Sequence, residues 1–452
     1  MTRVRRAIQS LVGRRHPTQV VVMGFLTVIG VGAILLSLPV ASADGQGVGW
    51  REALFTSTSA ATVTGLIVVD TSTAWTPFGQ VVILALIQVG GFGLMAVSSV
   101  IAVVLARRIG LRHRMAAQAE TGALRLGDLR SVVLGVVRWS AVVEAIAAVL
   151  LTAGFVLIHD ESLGRGAWMG LFHAVSAFNN AGFALQTNSL EPFSGDPWII
   201  GVISVAIILG GLGFPVLMEL RRQARVPKKW SVHTKITLLA TFSLFAVGAL
   251  AILALEWTNP DTLGTMPIGD KLTASWFQGV TPRTAGFNSL DYGALREGTL
   301  LVTIVLMFIG AASGSTGGGI KVTTFAVLGY AIWAEVRGSR EVEAFRRRIP
   351  GTTQRQALAV ALIGVAAVVS GTLALVTLSG VDLTSGLFEA TSAFSTVGLS
   401  TGVTDTLGGP SEVVLGLLMF AGRAGPVTLA AALVLREREP RYRYPEERPL
   451  VG

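Results

Sequence analysis

The chain has 452 residues, 51% of them hydrophobic and only 14% charged, and its mean hydropathy is strongly positive. Apolar runs of about 20 residues, long enough to cross a bilayer, recur along it and exclude the two or three soluble domains that the length would otherwise suggest. The formal charge of +9 suggests nucleic acid until its distribution is considered, and the absence of cysteine removes any disulfide, zinc-thiolate or haem-thioether framework.

Taken in order, a basic arm (Arg3, Arg5, Arg6, Arg14, Arg15) precedes an apolar run too long for a signal peptide and without a good cleavage site. The pattern then predicts a first span over 18–41, a short helix over 50–61, the segment Thr62-Val63-Thr64-Gly65-Leu66, and a return span over 77–106. The same order repeats: span 131–158, short helix 166–178, Asn179-Asn180-Ala181-Gly182-Phe183, span 197–220. A third unit runs 233–256, 270–280, Arg283-Thr284-Ala285-Gly286-Phe287, then a span from 298 that is broken in its middle. The fourth runs 356–379, 384–394, Ser395-Thr396-Val397-Gly398-Leu399, and 411–435.

The four segment glycines recur at intervals of roughly 110 residues, the signature of one unit used four times. Phe55, Phe172, Trp276 and Phe388 each stand ten residues ahead of their glycine, and Ser59, Ser176 and Ser392 six ahead, with Val280 in the third copy. The division expected is 1–125, 126–225, 226–350 and 351–452. Basic clusters at 3–15, 107–138, 221–235, 337–355 and 436–448 hold 29 of the 36 Lys and Arg, which places them and both termini in the cytoplasm. The opposite side receives Arg51, Arg165, Lys271, Arg283 and Arg296 together with most of the acids, so nucleic acid is excluded and cations are modestly enriched there.

The fold class expected is therefore an all-α polytopic membrane protein, with eight transmembrane helices and four re-entrant short helices around one central ion pore. Non-helical backbone at membrane depth survives only where it is buried or lines a watery cavity. Four such segments entering from one side converge most simply on one axis, with the negative ends of the helix dipoles facing it. Carbonyls of glycine-centred loops can replace a cation's hydration shell. A turn or close helix packing is the plainer reading of any one glycine; four in register favour a pore.

These units, with the phrases TVTGL, NNAGF, TPRTAGFNS and STVGLSTG, resemble the Trk/Ktr/HKT superfamily of potassium transporters over nearly the whole chain, and the start of the first unit near residue 18 fits its KtrB-type branch. The resemblance implies K⁺ as the transported ion, with carbonyl ligands at Val63, Thr64 and Gly65, at Asn180, Ala181 and Gly182, at Thr284, Ala285 and Gly286, and at Thr396, Val397 and Gly398. Glycine rather than serine at position 65 favours potassium over sodium. It also implies an inner (plasma) membrane location, a second copy of the chain, a cytosolic nucleotide-binding regulatory ring (KtrA- or TrkA-like), and activation by or coupling to Na⁺. No nucleotide fingerprint lies on this chain.

The second spans carry small residues at matching places: Gly90-Gly91-Phe92-Gly93, Gly210-Gly211-Leu212-Gly213, Gly310-Ala311-Ala312-Ser313 and Gly422-Arg423-Ala424-Gly425. In the first two, close packing or a bend suffices. The third continues as Gly314, Ser315, Thr316, Gly317, Gly318, Gly319, Ile320 and Lys321, too glycine-rich for a straight helix. It fails the phosphate-loop pattern, because Ile320 separates Gly319 from Lys321. By resemblance this stretch is an intramembrane gating loop beneath the filter; a kinked helix is the alternative. Arg423, mid-span, is placed in the pore beside that loop as an electrostatic barrier to resting cations. Lys321 could sit at a helix end and snorkel, and mid-span Glu144 is expected to pair with a polar neighbour. The histidines show no ligand spacing and no hydrolase motif is present, so no enzyme is expected. A less selective Na⁺/K⁺ pathway and, in another class, a carrier for an organic solute are the competing functions. The carrier would favour inverted repeats, whereas these all run the same way.

Overall fold

The computed structural model describes residues 17–93, 95 and 129–435. The basic arm, the segment 96–128 and the tail from 436 lie outside the described residues, as do the terminal basic clusters and the far end of the 77–106 span. The described residues are mostly helical. Long α1 (Pro17–Leu36), short α2 (Trp50–Ala61) and α3 (Pro77–Gly93) come first, then α4 (Leu129–Leu157), α5 (Leu163–Asn179), α6 (Pro197–Gly211) and α7 (Phe214–Gln223). They are followed by α8 (Val232–Glu256), α9 (Ile268–Val280), α10 (Glu297–Phe308) and α11 (Val322–Val336), and then by α12 (Gly351–Ser379), α13 (Leu383–Ser395) and α14 (Gly409–Leu435).

Four of these helices, α2, α5, α9 and α13, have 12, 17, 13 and 13 residues, and each packs chiefly on the long helix before it. Their last turns are buried at every position, whereas the long helices keep apolar side chains such as Val149, Leu250, Leu362 and Leu373 on the outside. A helix apolar on its outer as well as its inner face belongs in lipid. Among the described residues, α8, α12 and the Val133–Leu157 part of α4 are individually long and apolar enough to cross a membrane, and α6 with α7 qualify as a bent pair.

The repeats close on one another. α9 packs on α6, α13 on α10, and α14 on both α1 and α2. The ion pair from Arg51 Nε to Glu412 Oε2, 3.2 Å, ties the last repeat to the first. Second-span glycines seat the return helices against the ends of the short ones. A Cβ at Gly90, Gly210 or Gly422 would strike the carbonyl oxygen of Ala61, Phe178 or Phe394, each four residues ahead of a segment glycine. Gly422→Ala is therefore expected to destabilise the fold by about 1–3 kcal/mol through overpacking. It should lower the thermal unfolding midpoint in detergent; an unchanged midpoint would mean that α14 slides away at no cost.

Two return spans are broken rather than one. The third is interrupted over 309–321, as its glycines predict. The second, predicted over 197–220 with close packing or a bend at its small residues, takes the bend: 98° between α6 and α7 at Gly213, whose φ is +82°. The two breaks dock together: Ala312 N donates to Gly211 O at 3.0 Å, Thr316 N to Gly210 O at 3.3 Å and Phe214 N to Gly314 O at 3.2 Å. Backbone groups freed by one break are thus satisfied by the other. A hairpin of β1 (Glu343–Ala344) and β2 (Arg347–Arg348) inside the basic 337–355 segment has no counterpart in the sequence reading.

Candidate functional site: a ring of four glycine-centred loops

Each short helix ends in a loop with the same backbone. The residue two ahead of each glycine is left-handed (Val63 φ 55°, Asn180 59°, Thr284 70°, Thr396 50°), and the glycine is again at positive φ (Gly65 95°, Gly182 72°, Gly286 78°, Gly398 97°). β-branched Val and Thr in that region are true outliers, kept only where the surroundings over-determine them. In the third loop, Pro282 stops α9 at Val280 and a turn carries the chain through Thr281–Ala285.

The four loops meet in chain order around one centre. A Cβ built on Gly65 would strike Ala181 O, one on Gly182 would lie 3.0 Å from Ala285 O, one on Gly286 would strike Val397 O, and one on Gly398 would strike Thr64 O. The residue before each glycine thus presents its carbonyl oxygen to the neighbouring loop's glycine, all the way around. All twelve positions predicted as ligands (63–65, 180–182, 284–286, 396–398) are brought together here, nearly all buried. Such a girdle of carbonyls, at the negative ends of four helix dipoles, can hold a dehydrated monovalent cation.

The loops are locked by hydroxyls in two ways. Ser59 Oγ accepts from Gly65 N at 3.0 Å and Ser392 Oγ from Gly398 N at 3.1 Å. Ser176 Oγ instead donates to Phe183 O at 2.7 Å, and Thr281 Oγ1 to Phe287 O at 2.5 Å, which replaces the serine missing at Val280. Outside the ring, Asn288 Nδ2 donates to Glu191 Oε1 at 2.7 Å. Partial burial and then the nearby Asp291 push the Glu191 carboxyl up from the ordinary carboxylate range, against the effect of the Asn288 bond.

The 310–321 stretch lies directly against the ring. Its neck is pinched by a bridge between Ile309 and Ile320 and by Gly310 N donating to Ile320 O at 2.7 Å. Its tip reaches the segment residues: a Cβ on Gly317 would strike Thr284 Oγ1, one on Gly318 Thr396 Oγ1, and one on Gly319 would lie 3.1 Å from the Ser395 side chain. Ser315 Oγ donates to Ala312 O at 2.6 Å, and Ser313 Oγ and Thr323 Oγ1 share a bond of 3.1 Å. Arg423, 1% exposed, donates from its guanidinium to Thr316 O. Lys321 caps α11 and does not reach outward; its Nζ folds back onto Gly317 O at 2.5 Å.

One charged group lies elsewhere than its sequence reading placed it. Arg283, assigned to the outer side by charge counting, is 3% exposed and donates to Gly310 O at 2.6 Å, at the neck of the loop. Glu144 pairs with amides, as expected of a polar neighbour: Gln88 Nε2 at 2.9 Å and Asn179 Nδ2 at 3.1 Å. Sequence reasoning also gave no role to Glu389, whose buried carboxylate accepts from Ser400 Oγ and Thr404 Oγ1, both at 2.6 Å, and from Thr401 N at 3.0 Å. It anchors the continuation of the fourth loop over Ser400–Thr404.

A family described as "TrkH: Cation transport protein" matches residues 5–440. The chain belongs to that family. It is an integral membrane protein, and its family is one of transporters rather than enzymes. Relatives of this TrkH-family chain include the Ktr system potassium uptake protein B of Bacillus subtilis, 43% identical over 97% of this chain and 97% of that protein. The protein of the same name from Vibrio alginolyticus is 39% identical over 96% and 94%. The potassium/sodium uptake protein NtpJ of Enterococcus hirae is 34% identical over 97% and 98%. Among solved structures, the potassium transporter TrkH of Vibrio parahaemolyticus superposes with a TM-score of 0.69, covering 91% of this chain and 84% of that one at 21% identity, a likeness of fold.

Proposed function

We propose that this chain is the potassium-translocating membrane subunit of a Ktr-type uptake system, in which K⁺ passes the four-loop ring and the 310–321 loop gates it from below. The ring supports this reading most directly: each of the four glycines lies against the next loop's carbonyl oxygen, which closes the loops into a girdle of backbone oxygens. α1 and α3, α4 and α6–α7, α8 and α10–α11, and α12 and α14 then form eight spans, with α2, α5, α9 and α13 as the re-entrant helices. The basic face 221–235 and 337–355 is cytoplasmic in this arrangement. The relatives are named as part of a system, which supports a partner protein; the partners proposed are a second copy of the chain and a cytosolic nucleotide-binding regulatory ring. Na⁺ enters as an activating or coupling ion, in keeping with the printed name of the Enterococcus relative.

Cells stripped of their own potassium systems and given this chain with its cytosolic partner are expected to grow at low external K⁺. Failure to take up K⁺ by cells that carry both proteins in the membrane fraction would overturn the reading.

A further inference from the structure

We propose that Arg283 is a positioning residue that couples the third loop of the ring to the gating loop, so that opening below the ring is felt within it. The inference rests on the gating reading of 310–321 and deepens it. Arg283 immediately precedes Thr284-Ala285-Gly286, and its Nη2 donates to Gly310 O at 2.6 Å. Gly310 is the second residue of the break and already donates to Ile320 O, so the guanidinium holds the neck, where the two ends of the loop meet. Arg423 holds the tip through Thr316 O, and Lys321 holds Gly317 O. The three cations therefore do different work. Arg423 sits on the return span of the fourth repeat and Lys321 at the end of the loop itself, capping α11; of the three, Arg283 is the one that stands in a loop of the ring.

The burial of Arg283 fits a coupling element better than a surface charge. At 3% exposure, its Nε and Nη1 have no bonding partner among the described residues, so the bond to Gly310 is the one direct contact that compensates the buried guanidinium. A neck that moves must either take Arg283 with it or leave the charge unbonded in a low-dielectric site, which is strongly disfavoured. Moving with the neck pulls on the Thr284 backbone, held left-handed at φ 70° with its Oγ1 against Gly317. Opening of the loop and distortion of the third set of carbonyls are thus one motion.

The test compares Arg283→Gln, Arg283→Lys and Arg423→Ala in proteoliposomes, reading K⁺ flux and K⁺-over-Na⁺ preference together. Arg423→Ala is expected to raise flux and leave the preference intact, because it frees only the tip. Arg283→Gln is expected to raise flux by about tenfold and to erode the preference by a similar factor, since a neutral amide bonds the neck more weakly. Arg423→Ala active as described with Arg283→Gln unchanged in both readouts would overturn the coupling and leave the gate standing. Both variants silent would overturn the gate itself. Should Arg283→Gln not fold, Arg283→Lys carries the test: a shorter, single-point donor is expected to give the same two changes at smaller size, and wild-type values in both would reject the proposal.

Discussion

Gly65→Ser is expected to lower the K⁺-over-Na⁺ preference of uptake by about tenfold or more. Gly65 sits at φ 95°, and a Cβ there would strike Ala181 O and lie 3.1 Å from Gly182 Cα. A non-glycine residue forced into such backbone costs about 1–3 kcal/mol, and the clash is with backbone that cannot rotate away. The loop must retreat from its neighbour, and the girdle loses both its spacing and one carbonyl direction. The measurement is Na⁺-dependent inhibition of K⁺ uptake in cells lacking other potassium systems. A Ser variant that is present in the membrane and as selective as wild type would sink the assignment of the ring as a filter.

Arg423→Ala is expected to raise K⁺ flux by roughly 10- to 100-fold when the cytosolic partner is absent. Its guanidinium donates to Thr316 O at the tip of the loop that lies against Thr284 and Thr396. A hydrogen bond from a charged donor contributes about 1.5–3 kcal/mol, so its loss shifts the closed-to-open balance of the loop by about that factor. If the proposed path runs beside this loop, removing the charge also removes a repulsive centre from it. Flux into proteoliposomes checks it, and a folded variant with unaltered or slower flux would contradict the electrostatic barrier.

Much of the architecture was legible because period and punctuation in the sequence are strong. The predicted short helix over 50–61 is α2 with the same bounds, and 384–394 is α13 to within a residue at each end. The broken third span was legible from its glycines, since a helix cannot absorb so many without losing its packing. The bend at Gly213 was left open, because Gly210, Gly211 and Gly213 suit close helix packing as well as a bend until a partner supplies the missing hydrogen bonds. Here the partner is the other break, about 100 residues away in sequence. The four glycine segments were found from register, the twelve positions within them from the family resemblance, and the four loops do converge. Arg283 was misplaced because a charge count treats any cation near a span end as solvated and cannot see a buried carbonyl at Gly310. That Glu144 would find a polar partner was expected, but Gln88 and Asn179 were not named for a related reason: the three residues belong to three helices, and only packing brings them together.

The two hydroxyl arrangements bear on how freely the four repeats have been able to exchange parts. In the first and fourth, the serine receives the glycine's own N–H; in the second and third, a hydroxyl grips the carbonyl of the following phenylalanine. Duplicated units that began alike have settled into two kinds, and like stands next to like around the circle. A loop transplanted together with its short helix from the first repeat to the fourth brings a fastening that suits its new site. The same transplant into the second brings one that leaves Phe183 O unheld, so chimaeras of this chain should sort by type of fastening rather than by closeness of sequence.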